Sequence, residues 1–526
     1  MKSELKNGEK QIINGALLLT VSMIIVKVFG LIYKVPLSYI LSDEGMGYFN
    51  TAYSVYTFFY VISTSGVPKA ISILTAQGDE ASADKMSFVA FRMFFVIGTT
   101  LSLLFIFVSE PISSALGSKG AALSMLGIAP AIAFVSASGA LRGYFNGKLK
   151  LFPIAVAELI AGISKLVFGL IFAALGKRMG FEIYEIAAFS IIGITLGTFF
   201  GFIYLYFVMK LNAKTKIQKR IFNIRSDFAV LKSILKISIP LTMSAAIGSL
   251  INLLDVGLVM GMLKKIGFSE LQANIIYGNY TTLAVPMFNL VGTLLAPVSA
   301  VLLPMLAKNA SDGNNIQFKK QTKLSLDISL FVTAPISFLF FAYSESILSF
   351  IFEDESAKMA APLLSLLAFS TVFMGMLLVI NTAIEGEGNY KLPFISLTLG
   401  SLGKLVISGA LIRNDSFNIL AAPLGTVVSY LLSFFISYIY LNNIKKVKVP
   451  LFKTCFFAFA YSAIALIFSV IFDKSVDIEN WYFKQIFTYV IFGIVYIALI
   501  LAHVFIEKKR QKVYNCDKKC AHKLYI

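Results

Sequence analysis

Histidine is nearly missing from this chain, with two among 526 residues. No HExxH run exists to supply the ligands and base of a zinc hydrolase. Three cysteines are too few for a disulfide framework. Cys455 falls in an apolar run and reads as a small hydrophobe, while Cys516 and Cys520, with His522 nearby, match no common zinc spacing. A phosphate-cradling loop is also lacking. Gly143-Tyr144-Phe145-Asn146-Gly147-Lys148 is one residue short of a Walker A sequence and lacks its Ser/Thr, and Gly400-Ser401-Leu402-Gly403-Lys404 lies inside an apolar run where no such loop forms. These absences exclude ATP-driven transport by this chain alone and argue against enzymatic turnover; no cofactor or metal is expected. A cleavable signal peptide is not expected either, because the first apolar stretch is long and leads into Lys34-Val35-Pro36 rather than a small-residue cleavage site.

Charge is scarce at 14%, against 57% hydrophobic residues and a mean hydropathy of +0.80. No soluble domain is this apolar. About 20 apolar residues span a bilayer as helix, and fourteen such stretches are legible between residues 12 and 506. The expected fold class is an all-α membrane protein with 14 transmembrane helices. With the N-terminus placed inside, the termini and even-numbered loops hold 31 Lys+Arg against 11 Asp+Glu, and the odd-numbered loops hold 9 against 14. This is the positive-inside pattern, so a plasma-membrane protein with both termini cytoplasmic is expected. The net charge of +18 is thereby explained by topology and anionic lipid, with no nucleic-acid partner. Trp481 and Tyr482, in an outer loop, read as interfacial anchors.

The first twelve spans divide into two sets of six. Tyr48 precedes Pro68 by the interval that separates Tyr277 from Pro297. Ser109-Glu110-Pro111-Ile112-Ser113-Ser114 echoes Ser344-Glu345-Ser346-Ile347-Leu348-Ser349, and Lys165-Leu166-Val167 matches Lys404-Leu405-Val406. The matches are collinear, and an even number of spans per unit makes the repeat parallel, with a substrate site expected between the units. The domain reading is residues 1–222 for an N-terminal six-helix lobe, 223–449 for a C-terminal six-helix lobe, and 450–526 for helices 13–14 and a basic tail. The basic connection from Lys210 to Lys236 is the lobe-to-lobe linker.

Nine ionisable residues fall inside these spans: Lys27, Lys34, Lys69, Arg92, Lys165 and Lys404, against Glu158, Asp255 and Asp327. A charge at the bilayer centre costs roughly 3 kcal/mol on insertion scales, so it persists where it faces a bundle interior or a watery cavity. The excess of cations points to an anionic substrate. Lys27 and Lys34 share a helical face seven residues apart, and Gly30 and Pro36 beside them are candidate hinges where the helix unwinds or kinks. Lys165 and Lys404 lie deep in their spans and are candidate cavity residues. Lys69 and Arg92 are near enough to span ends to snorkel, with Arg92 kept as a substrate-binding candidate. Arg142, in a loop at the cytoplasmic end of the fourth span, reads either as a helix C-terminal residue or as a gate at the cytoplasmic mouth. Asp255 and Glu158 are the candidate ion-coupling residues. Each also has a structural alternative, Glu158 in an ion pair across helices and Asp255 in neutralising a lysine. Lys404 is the nearest candidate, although depths counted from the span ends differ by about 9 Å. Asp327, near an interface, reads as solvated or capping.

Four runs carry a resemblance: residues 27–37 (Lys27 to Leu37), the Asp43-Glu44-Gly45-Met46-Gly47 turn, Ser65-Gly66-Val67-Pro68-Lys69-Ala70-Ile71-Ser72, and Arg142-Gly143-Tyr144-Phe145. With them the chain resembles the multidrug/oligosaccharidyl-lipid/polysaccharide exporter superfamily, in the polysaccharide biosynthesis branch that includes stage V sporulation protein B and MurJ-type lipid II flippases. The resemblance implies two MATE-like six-helix lobes around a central cationic cavity that alternates between inward-open and outward-open states. It implies a polyprenyl-pyrophosphate glycolipid substrate such as lipid II, serving peptidoglycan or spore cortex synthesis, with a groove for the polyprenyl tail on the last two spans. Export of a capsule or teichoic-type repeat unit, a drug antiporter and a non-transporting scaffold are the alternatives. The partners expected are the substrate, membrane lipids and peptidoglycan synthases, around a monomer. Coupling would draw on the membrane potential, Na+ or H+. Lys27 matches a basic first-span position of the family, and Tyr33 replaces a basic residue beside Lys34. The family pattern also has cavity arginines in the second and eighth spans and a carboxylate in the eleventh, and all are missing here. Lys404 is accordingly expected to stand in for a bound cation near Asp255.

Overall fold

The structure is a computed structural model describing the backbone of all residues except Met1, 78–79, 149, 213–223, 390, 413–416, 445–450, 477 and 524–526; side chains outside the description include those of 2–20, Lys27 and 506–523, and so of Cys516, Cys520 and His522. Among the described residues every regular element is helical. In chain order they are α1 (Lys2–Gln77), α2 (Glu80–Ala115), α3 (Ala121–Gly147), α4 (Phe152–Arg178), α5 (Ile183–Asn212), α6 (Ile224–Lys265) and α7 (Glu270–Asn279). A π-helical turn (Tyr280–Ala284) then leads into α8 (Val285–Ser311), α9 (Asn315–Ala342), α10 (Ser344–Ser349), α11 (Asp354–Gly386), α12 (Lys391–Leu411), α13 (Ala421–Ile439), α14 (Phe452–Ser475) and α15 (Trp481–Lys523). Among the described residues eleven helices are long and apolar enough to cross a membrane. The first of these, Val28–Thr75, has 48 residues, or about 72 Å of helical rise, more than twice a hydrocarbon core.

The break in that long segment falls at the turn read between the first two apolar runs, not at the candidate hinges. Gly30 and Pro36 have helical backbone, and the departure comes at Ser42, with φ 56° and ψ 178°. Pro36 removes one backbone donor, and an α-helix absorbs that loss as a bend. Ser42 instead sits in a left-handed region that a non-glycine residue occupies at a cost, directly before the Asp43–Gly47 turn. A second difference concerns Arg142–Asn146, read from sequence as a loop. Helix α3 runs through them to Gly147, since the run before Lys148 holds no helix breaker stronger than Gly143.

Buried apolar side chains collect in two large clusters. One joins α1 to α5 through Tyr33, Leu37, Phe49, Met125, Ile132 and Ile191. The other joins α6 to α13 through Val259, Met260, Tyr277, Phe288, Leu364 and Ala421. The clusters meet along α1, α6 and α7. At one end of this seam, Asp43 accepts hydrogen bonds from Asn279 Nδ2 at 3.0 Å and from Ser356 Oγ at 2.8 and 2.9 Å. Ser118 Oγ donates to Asn274 Oδ1 at 2.8 Å. The helices approach to backbone contact here, because Gly47 lies against the Asn274 carbonyl and Gly278 against the Asp43 carbonyl. At the other end, Leu231 and Ile234 of α6 pack among Val67, Ala70 and Ile71 of α1.

A Cβ at residue 278 would come within 2.2 Å of the Asp43 backbone oxygen, which no side-chain rotation relieves. Gly278→Ala is therefore expected to destabilise the protein by about 1–3 kcal/mol. The reference is Gly493→Ala, where nothing lies within 4 Å of the added atom. Thermal unfolding in detergent checks this, and equal midpoints for the two variants would contradict the contact.

Candidate functional site

A chamber of ≈ 470 Å³ lies on the seam, with walls from α1, α4, α6, the π turn and α8. Its lining follows helical periodicity. Val26, Phe29, Gly30 and Tyr33 form one face of α1 before the Ser42 break, and Asn50, Tyr53, Ser54 and Thr57 form one face after it. The α6 wall supplies Ser249 and Asn252, and α8 supplies Asn289 and Thr293. Among the described residues two cations line this chamber, Lys34 and Lys165.

Lys34 is held by a defect in the opposite helix. The π turn hands the Val285 amide back to the Tyr280 carbonyl, and Pro286 has no amide to offer, so the Thr281 carbonyl is free for another donor. Lys34 Nζ takes it at 3.1 Å and also reaches Asn50 Oδ1 at 3.4 Å. Asn50 in turn donates to Thr282 Oγ1 at 2.7 Å. Lys165 Nζ sits over aromatic faces, 4.6 Å from the Tyr53 ring centroid and 5.2 Å from that of Tyr33, within cation–π range. Among the described residues no carboxylate pairs with either lysine.

A second chamber of ≈ 390 Å³ lies within α1–α5 and shares Val26, Tyr53, Thr57, Gly162 and Lys165 with the first. Its other walls include Tyr56, Tyr60, Arg142 and Glu158. Arg142 of α3 pairs with Glu158 of α4, and Tyr60 Oη donates to the same carboxylate at 3.4 Å. Arg142 is thus a half-buried, paired side chain inside a helix rather than a loop residue. Glu158 takes the cross-helix pairing that was its structural alternative.

The other candidates are placed away from these chambers. Lys404 of α12 and Asp255 of α6 form an ion pair at 2.6 Å, and neither lines either chamber. The pair forms despite the depth mismatch inferred from sequence, because α6 extends beyond its apolar run and the edges of apolar runs do not mark equal depths. Arg92 is half-buried on α2 and lines neither chamber, and Lys69 is exposed. Asp327 pairs with Lys323 at 3.1 Å and accepts from Thr454 Oγ1 at 2.7 Å, joining α9 to α14. Gly30 lines the larger chamber, and Pro36 is exposed. The side chain of Lys27 lies outside the described residues. Sequence reasoning passed over Asn50 and the tyrosines; the spacing of Tyr53, Tyr56 and Tyr60 at three and four residues was the signal available.

Comparison with known proteins places this architecture. The family model described as "Polysaccharide biosynthesis protein" matches residues 12–310, and that described as MatE matches residues 280–409. Stage V sporulation protein B of Bacillus subtilis (strain 168) is 20% identical over 435 residues, covering 81% of this chain and 82% of the relative. Lipid II flippase MurJ of the same organism is 23% identical over 459 residues, covering 81% and 82%. Among solved structures, MurJ in an inward closed conformation superposes with a TM-score of 0.73 at 19% identity over 94% of this chain and 99% of that one. An inward-facing multidrug MATE transporter of the MOP superfamily gives 0.69 at 12% identity over 82% and 98%. The matched proteins whose function is named are flippases and transporters, not enzymes.

The Asp255–Lys404 pair generates a stability test. Removing one partner leaves a buried uncompensated charge, so Asp255→Leu and Lys404→Met are each expected to cost about 3–5 kcal/mol, whereas the double variant recovers most of the loss. Thermal unfolding of the four proteins measures the coupling. Additive losses would show that the pair does not act as a unit.

Proposed function

The chain belongs to the polysaccharide biosynthesis protein family, and from that premise we propose that it carries an undecaprenyl-pyrophosphate-linked oligosaccharide, lipid II foremost, to the outer leaflet by alternating access. In this reading α1 makes two crossings divided at Ser42, and α6 and α8 complete fourteen. Residues 1–222 and 223–449 are the two six-helix lobes, α14 and α15 carry the polyprenyl tail, and both termini are cytoplasmic. The protein works as a monomer in the service of peptidoglycan or spore cortex synthesis, beside the synthases that consume its product.

One observation carries the proposal: Lys34 and Lys165 line a single chamber bounded by both halves of the repeat, with no carboxylate paired to either among the described residues. A pyrophosphate accepts charge-assisted hydrogen bonds from ammonium groups and would draw Lys34 from the neutral Thr281 carbonyl. A carrier of cationic drugs would need the reverse polarity. The seam contacts at Asp43 and at Gly66–Ile71 are those that alternate access must break in turn. Lys404 occupies the place beside Asp255 that a coupling cation would otherwise fill, so the reset draws on the membrane potential, worth about 2.3 kcal/mol per charge per 100 mV.

In proteoliposomes carrying fluorescent lipid II, Lys34→Ala and Lys165→Ala are each expected to slow translocation by at least about tenfold. Wild-type rates in both variants would reject the cationic-chamber mechanism and favour a scaffold. Failure of the wild type on lipid II with success on another pyrophosphate glycolipid would reassign the substrate. Replacing Na+ by choline is expected to leave the rate unchanged. Strict Na+ dependence that disappears in Asp255→Ala would overturn the role given to Lys404.

A further inference from the structure

The smaller chamber is built unlike the larger one. Tyr53, Tyr56 and Tyr60 follow one face of α1, with successive ring centroids 5.8 Å and 5.8 Å apart. They form a strip of aromatic surface about two helical turns long. At the far end of the strip stand the Arg142–Glu158 pair and Tyr60 Oη. Arg142 Nε is buried there with no hydrogen-bond partner among the described residues, a donor available to a ligand acceptor. Ser138 and Thr198 add hydroxyls to the same walls. At the near end Lys165 belongs to both chambers.

We propose that this tyrosine-lined chamber is the glycan subsite: it receives the sugar headgroup of the lipid whose pyrophosphate is held by Lys34 and Lys165. The inference rests on the functional reading above and assigns the smaller chamber within it. A pyranose ring has apolar C–H faces and a hydroxylated rim. The faces complement the negative π surfaces of tyrosine, and the rim complements a guanidinium donor, a carboxylate acceptor and hydroxyls. The volume falls in the range of small-molecule sites, about 300–1,000 Å³. A polyprenyl tail is the wrong occupant, since it would set hydrocarbon against Arg142, Glu158 and Thr198. Exposed apolar side chains such as Ile467, Phe468, Ile494 and Leu501 on α14 and α15 offer a tail an uncharged surface. Lys165, resting on the Tyr53 ring, marks the junction where the pyrophosphate ends and the first sugar begins.

The test compares two ligands on the purified full chain in nanodiscs: undecaprenyl pyrophosphate without sugar, and undecaprenyl-pyrophosphoryl disaccharide. The wild type is expected to bind the glycosylated lipid more tightly. Tyr60→Leu should weaken the glycosylated lipid roughly five- to tenfold and leave the sugarless one unchanged. Tyr60→Phe, which keeps the ring, should retain most of the difference, and Lys34→Ala should weaken both lipids alike. Thr198→Val, a milder change in the same wall, serves if Tyr60→Leu lowers the unfolding temperature, with the same selective loss expected. Equal wild-type affinity for the two lipids, or variants that weaken both equally, would overturn the glycan subsite while leaving pyrophosphate recognition intact. Binding of neither lipid would overturn the functional reading and the subsite with it.

Discussion

A charge inside hydrocarbon must find an opposite charge, a dipole or a polar cavity, and the arrangement of this protein follows from how each cation resolves that demand. Arg142 and Lys404 resolve it with carboxylates, Glu158 and Asp255. Lys165 resolves it with the π faces of Tyr33 and Tyr53, and Lys34 with one backbone carbonyl and one amide. The first pair of solutions neutralises charge. The second leaves it whole, on the walls of a chamber between the two halves.

This difference is sharpest at the positions that the internal repeat relates. Lys165 and Lys404 sit at matched places in α4 and α12, and each reaches toward the opening helices of its own half. The α6 counterpart presents a carboxylate, whereas α1 presents a phenol ring. Two lysines at matched places in the sequence thus differ electrostatically through their partners. The surroundings of Lys404 are locally neutral where those of Lys165 are cationic, which concentrates the anion-attracting field at the chamber.

Much of this was legible beforehand. Apolar runs report the membrane class and the helices because a bilayer imposes both on composition. Depth in a span pointed to Lys165 and Lys404 alike, yet Lys165 lines a chamber whereas Lys404 pairs with Asp255. What was not legible depended on helix ends and on neighbours. Asp255 and Lys404 met despite a depth argument against it, because a helix can begin far outside its apolar core. The break at Ser42 was legible as the Asp43–Gly47 turn between two apolar runs, while Gly30 and Pro36, which carry breaker signals, remained helical. Arg142 was misplaced because a glycine after it looked like a helix stop. Pairings between α3 and α4, or α6 and α12, are tertiary facts that periodicity within one helix cannot report.

The π turn at Tyr280–Ala284 does more than free a carbonyl for Lys34. An α-helix advances about 100° per residue, and a π turn accommodates one residue beyond the α-helical register. The extra residue therefore rotates the whole of α8 relative to α7. Asn289 and Thr293 face the chamber on account of that rotation, and without it a different stripe of α8, displaced by one position, would form the wall. The polarity of the chamber is in this sense written in a count of residues: a single deletion at residues 282–284 would exchange the amide-bearing face of α8 for its neighbour.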